Sequence, residues 1–415
     1  MAQDLPSQKS GEKPAATPPA EPRRGTIFTT GLLAVCLSAV LLVLLLGYLI
    51  VAPTPQTVRP AGTGPALPPA AANSVRFLAP RQFITPELLA DFQTETGLTV
   101  ELVSYDDDES VTPDSLAAGG ADVVLASGVV MQRLRAQDRL NVLPARQIGN
   151  LGLIDPTLRS LAATYDKGGL HLVPFVWTSF GLGLNREAVA AKLGVSAATD
   201  TWGLVFDAAT AGKLAACGIH SIASPSVAFP AALKFLGVSA QSDAPGDTER
   251  ASALWEAARP FIATLDTASV SAALASGKAC VAIASASEVY QARAQAREAG
   301  ETFTLQFVQP REGTMLRLYL LGLNRFSANP ARGAALVNYL LRPEVSARLT
   351  NSRWAANAVP ASALYVRQDV KDDPLIYPDI GPFRKLAPDA APAPATVSLR
   401  ERFWLLMSAA KAPPS

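Results

Sequence analysis

VPFVWTSFGLGLNREAV, residues 173–189, is the stretch on which the reading of this chain turns. Leu172 through Trp177 is apolar and β-branched, as a buried strand is. Thr178 and Ser179 then interrupt the apolar run and predict a polar bend. Gly181, Leu182, Gly183 and Leu184 alternate small and large, which predicts a second strand, and Asn185 is a good helix start. By itself the stretch fits an ordinary pair of core strands. A foldable half lies on each side of it, however. That position predicts a crossover between two lobes, with a ligand cleft beside it.

The whole chain has 415 residues and a formal net charge of +1, so bulk charge does not point to nucleic acid or to an acidic partner. It is long enough for two lobes with a core each. Its hydrophobic content, 49% against 17% charged, is inflated by Ala and one membrane segment, while Pro dilutes the charged share. Residues 1–26 are rich in Pro, Ala, Lys and Ser and predict a disordered cytoplasmic tail. Residues 27–51 carry no charge, and at roughly 25 residues they are long enough to cross a hydrocarbon core of about 30 Å. A secretory signal core is shorter, about 7–15 residues, so the run reads as a transmembrane helix. Cys36 follows Leu33-Ala34-Val35, a poor lipobox, and reads as membrane-embedded. Lys9, Lys13, Arg23 and Arg24 precede the run and keep that end in the cytoplasm. The folded part is then expected outside the inner membrane, in the periplasm of a double-membraned bacterium. Residues 52–73 form a Pro/Ala-rich linker that holds it off the surface.

From Ser74 onward the pattern is strand, helix, strand. SVRFLAP is a strand. PELLADFQTET has helical spacing, Pro in its first turn and Gly97 just past its end. LTVELVSY and ADVVLAS are further strands, which predicts a parallel sheet with helical crossovers. Asp106, Asp107, Asp108 and Glu109 lack the spacing and turn glycine of an EF-hand and read as a solvated loop. Later, residues 214–223 and 279–285 predict strands. Residues 229–236, 249–265 and 289–299 predict helices, and RERFWLL predicts a terminal helix packed on the second lobe.

RFLAPRQFITPELLADFQTETGLTVELVSYDDDESV resembles the opening of the periplasmic polyamine-binding proteins, the spermidine/putrescine receptors of ABC importers. The resemblance continues in order through ADVVLASGVVMQRLRAQDRL, VPFVWTSFGLGLNREAV, ALVNYLLRPEVSARL and DPLIYPD. It implies an α/β, two-lobed periplasmic-binding-protein fold of type II, with an interlobe cleft, here preceded by one transmembrane helix. Lobe one would comprise residues 74–177 and 318–364, and lobe two residues 178–317 and 365–415. The cleft would lie at the carboxyl ends of parallel strands.

A polyamine site needs acids for ammonium groups and aromatic faces for the methylene chain. The family's first cleft loop carries Trp-Thr-Glu-Tyr, where this chain has Pro80, Arg81, Gln82 and Phe83. At other family ligand positions stand Ser127, Ser224, Val227, Ser285, Arg317 and Tyr319, with Trp177 beside the crossover and Ala355 next to Trp354. None of these is an acid. Two cleft arginines would repel a dication, since like unit charges about 4 Å apart cost about 4 kcal/mol at an effective dielectric near 20. The expectation is therefore a retained scaffold with an altered ligand, anionic or neutral. Arg81, Gln82, Phe83, Ser127, Trp177, Ser224, Ser285, Arg317 and Tyr319 are the candidate ligand-binding residues.

Catalytic and metal motifs are absent: there is no G-x-S-x-G elbow, Walker A loop or HExxH, and His171 and His220 stand alone. No enzyme activity, cofactor or metal is expected. Cys217 and Cys280 are a candidate disulfide on two lobe-two strands, with buried free thiols slightly favoured. Two functions follow. One is an anchored solute-binding protein serving an ABC importer. The other is a non-transport accessory or sensory protein that uses the fold to bind another membrane protein.

Overall fold

The computed structural model describes residues 59–60, 73–377 and 392–409. The expected tail, transmembrane run and most of the linker lie outside the described residues. Among the described residues no helix is long and apolar enough to cross a membrane.

Among the described residues eleven strands form one continuous sheet. They are β1 (Arg59–Pro60), β2 (Ser74–Pro80), β3 (Thr99–Tyr105), β4 (Val123–Ser127), β5 (Val173–Asn185) and β6 (Ile219–Ser221). Then come β7 (Ile262–Leu265), β8 (Val281–Ser285), β9 (Leu305–Val308), β10 (Met315–Leu323) and β11 (Ala356–Asn357). The order is β1-β3-β2-β4-β10-β5-β8-β6-β7, with β9 and β11 also on β5. The pairs β2–β3, β2–β4, β6–β7 and β6–β8 are parallel, so each is joined by a crossover connection.

The deciding stretch is one strand, not two. All of β5, Val173–Asn185, is buried, and no bend occurs at Thr178 and Ser179. Two hydroxyls cannot turn a chain whose amides are held in a ladder. Arg317 pairs with Thr178 and Leu316 with Ser179, in antiparallel register. What changes near this point is the partner. Val176 and Trp177 pair with β11, whereas Phe180 to Leu184 pair with β8 and Leu182 to Asn185 with β9. The crossover is a strand shared by two packing environments.

Two hydrophobic cores lie either side of that change. One joins Val75 through Trp177 to Leu316 through Val359, around Phe77, Phe92, Trp177 and Leu340. The other joins Phe180 through Met315 to Val366 through Met407, around Trp202, Phe229 and Trp255. These are called lobe one and lobe two below. The helix Pro86–Thr96 has the expected ends: Thr85 accepts from the Leu88 N–H at 3.3 Å, and Gly97 closes it at φ 69°. Pro394–Ala409 is the terminal helix, and Trp404 meets Trp255 edge-on at 5.3 Å.

Some expected boundaries move. Residues 249–265 split into the helix Pro245–Ala258, a tight turn and β7, because Pro260 cannot continue a helix. The strand expected at 214–223 shrinks to β6, preceded by the helix Ala208–Leu214. Cys217 and Cys280 are disulfide-bonded, with Cα atoms 5.5 Å apart, against the slight preference for free thiols. Backbone pairing brings them together: the Cys280 N–H donates to the Cys217 carbonyl at 3.1 Å. Gly218, at φ 90°, permits it, since a Cβ there would stand 2.1 Å from the Lys278 carbonyl.

Candidate ligand-binding cleft

Every group in the cleft enters from the carboxyl end of a strand or from a crossover. Gln82 follows β2, Asp107 and Asp108 follow β3, Ser224 follows β6, Thr267 follows β7 and Glu288 follows β8. Phe180 on β5 and Arg317 and Tyr319 on β10 form the back wall. Parallel strands whose carboxyl ends face one another across two crossovers make a crevice by topology alone.

The lobes are in direct contact across it. Glu109 of lobe one accepts from the Ser224 hydroxyl at 2.8 Å, the Ser226 hydroxyl at 2.7 Å and the Ser226 N–H at 3.2 Å. The Thr267 hydroxyl donates to Asp107. Gln291 donates to the Gln82 carbonyl at 3.4 Å, and the Ser287 hydroxyl to the Arg353 carbonyl at 2.6 Å. The remaining cavity is about 20 Å³, room for roughly one water molecule. The cleft is closed.

Arg317 is only 3% exposed, lies 4.8 Å over the Phe180 ring and donates to the Ser226 hydroxyl at 2.7 Å. Four carboxylates share its wall: Asp106, which is paired with Arg81, and Asp107, Asp108 and Glu288. Burial pushes the Asp107 carboxyl up to about 6, with neighbouring Glu109 and Asp106 adding to the shift and the Thr267 bond opposing it. Burial also raises Asp108 and Glu288, and the Arg317 charge holds both back. The Tyr319 hydroxyl is raised by burial and stays protonated. Asp108 uses one oxygen, which accepts from the Tyr105 hydroxyl at 3.0 Å and the Ser127 N–H at 3.3 Å. Its other oxygen is buried and has no donor. The wall is therefore rich in acceptors and short of donors.

The expected site residues divide. Gln82, Ser224, Arg317 and Tyr319 line the cleft, and Gln82 donates to the Tyr319 hydroxyl at 3.3 Å. Arg81 sits at the rim, 46% exposed, and pairs with Asp106 at 2.9 Å. Phe83 is buried edge-on against Tyr319, and Trp177 is buried beside Tyr377. Ser285 caps the helix Ala286–Glu298, and Ser127 lines a neighbouring cavity. The residues that sequence reasoning missed are the acids. The segment 106–109 is not a solvated loop: Asp108 is 6% exposed, and Asp107 and Glu109 bridge to the other lobe. Its position directly after β3 was the available signal. Glu288 was also legible as the third residue past Ser285, where a capping box places a carboxylate.

A strand-crossed pair of α/β lobes closing on a polar cleft defines a binding protein of the two-lobed solute-receptor class. The family described as bacterial extracellular solute-binding protein matches residues 87–378, and the chain belongs to it. It is a binding protein, not an enzyme. The chain is 30% identical over 305 residues to the putrescine-binding periplasmic protein SpuD of Pseudomonas aeruginosa, covering 73% of this chain and 83% of that one. It is 30% identical over 332 residues to the putrescine-binding periplasmic protein PotF of Escherichia coli, covering 79% and 90%. The fold is similar to the solved spermidine/putrescine ABC transporter substrate-binding protein PotD of Streptococcus pneumoniae. There the TM-score is 0.65 at 18% identity, over 81% of this chain and 98% of that one.

Proposed function

We propose that this chain is a membrane-anchored extracytoplasmic receptor that delivers a small cationic amine to an ABC importer. The observation that carries the choice of ligand is the unpartnered buried oxygen of Asp108, beside Asp107 and Glu288. A buried acceptor without a donor is costly, and an ammonium group supplies donors and opposite charge together. The anionic or neutral solute expected from Arg81 and Arg317 fits less well. Arg81 is engaged with Asp106, and an anion beside Arg317 would also face Asp107, Asp108 and Glu288. The relatives' names, putrescine-binding in both cases, support the same cargo class. The uncharged run at residues 27–51 supports the anchor, with the N-terminus cytoplasmic and the folded part periplasmic.

Isothermal titration with ethylamine, putrescine and spermidine tests this. Binding that is lost in Asp108→Asn, with succinate and phosphate inert, is the expected result. A response to the anions, or amine binding indifferent to Asp108→Asn, overturns it. The second reading, an accessory protein that binds another membrane protein, is favoured by one observation: the closed cleft is filled by Arg317 and leaves about 20 Å³. Absence of any thermal shift with amines at millimolar concentration would favour that reading.

A further inference from the structure

A larger cavity, about 70 Å³, adjoins the cleft at Glu109 and Ser226. Lobe one contributes Val129 and Val130; lobe two contributes Pro230 and Met315, and the terminal helix Val397. Its walls are thus mostly apolar, yet they hold charged groups of both signs with atoms that have no partner among the described residues. Lys234 is half-buried and makes no hydrogen bond or ion pair among the described residues. Its ammonium rests against Gly313, where a Cβ would come within 2.9 Å of Nζ, so the glycine makes room for it. Burial lowers its pKa. Glu109 spends one carboxylate oxygen on Ser224 and Ser226, while its other oxygen is buried without a donor. Arg133 donates to the Val111 carbonyl at 2.8 Å and pairs with Glu401 at 3.7 Å, and Arg400 donates to the Ser242 carbonyl at 2.9 Å, while the Nε of each arginine is buried without an acceptor.

Lys234 and Glu109 line the same cavity without forming an ion pair with each other. Leaving a half-buried charge unpaired is unfavourable, and one ligand removes both penalties only if it carries both signs. We infer that this cavity binds an aliphatic amino acid, its carboxylate toward Lys234, its ammonium toward Glu109 and its hydrocarbon against Val129, Val130, Met315 and Val397. Both lobes contact the ligand, so binding favours the closed form. The site does not depend on amine binding in the cleft.

The test is titration calorimetry of the full-length chain in detergent. L-valine and 5-aminovalerate represent the α- and ω-amino acid sources; isobutylamine and isovalerate carry one charge each. At least one zwitterion is expected to bind at least tenfold more tightly than either single-charge analogue. Lys234→Met should weaken the zwitterion at least tenfold while leaving amine binding in the cleft, read through its dependence on Asp108, unchanged. Glu109→Gln should weaken the zwitterion but spare isovalerate. Circular dichroism confirms that each variant is folded. The inference is overturned if a single-charge analogue binds as well as the zwitterions, if neither zwitterion binds, or if folded Lys234→Met binds them like the parent.

Discussion

Amine binding in the cleft should be coupled to proton release. Asp107 is half-buried and its carboxyl is pushed up to about 6, chiefly by burial. An acid raised in the folded state contributes stability that is fully present below its unfolded value and lost as pH rises through about 6. Closing the empty cleft therefore becomes harder between pH 5 and pH 7.5. A bound ammonium has the opposite preference, because it needs the ionised carboxylate. About a tenth of such a group is ionised at pH 5 and nearly all of it at pH 7.5, which gives at most a tenfold gain in affinity. Asp107 is partly open to solvent, so screening reduces this to about three- to tenfold. Asp108 and Glu288, both raised by burial, act in the same direction. Calorimetric titration with ethylamine at both pH values, in buffers of different ionisation enthalpy, reads affinity and proton release together. Asp107→Asn should reduce the pH dependence, leaving the part carried by Asp108 and Glu288. Affinity that is equal at the two pH values, or higher at pH 5, refutes the reasoning.

Removing the Cys217–Cys280 bridge, which closes a 63-residue separation, should cost about 4 kcal/mol by loop entropy. In a Cys217→Ser/Cys280→Ser variant, calorimetry should show lobe two melting roughly 10 °C lower; an unchanged melting temperature would mean the reduced chain is already constrained there. Thr267→Val deletes the hydroxyl that donates to Asp107 and should raise that carboxyl's pKa further, measurable by carboxyl-carbon NMR titration; a lower value contradicts the assigned cause. Arg317→Ala removes the guanidinium that fills the cleft and should improve putrescine affinity at least tenfold in titration; weaker binding would mean Arg317 contacts the ligand instead. Alkaline carbonate extraction should leave the full chain in the membrane pellet and release a variant lacking residues 1–51; release of both contradicts the anchor.

The fold was legible because its signals are local and repeat. Strand, helix and turn glycine follow one another from Ser74 to Ser127, and the apolar periods fall where β2, β3 and β4 form. The site was legible only in part. Arg317 and Tyr319, singled out by the family resemblance, do face the cleft from β10. The acids were missed because an acid run after a strand looks the same in sequence whether water or another lobe covers it. Asp107 is covered by Thr267, 160 residues away, and no local pattern encodes that contact. The straightness of β5 was hidden for the same reason: Thr178 and Ser179 suggest a bend until β10, from far downstream, supplies their ladder.

That ladder also sets an order in time. β4 and β5 are separated in the sheet by β10, whose residues 315–323 come late in the chain. While the chain is being made, β4 and the first half of β5 lack the strand that lies between them. The apolar surface of lobe one and two unpaired strand edges therefore stay open until about residue 323 has emerged, and long-range pairing of this kind is slow and exposed to aggregation. A truncation just short of β10 should be the most aggregation-prone nascent length of this protein.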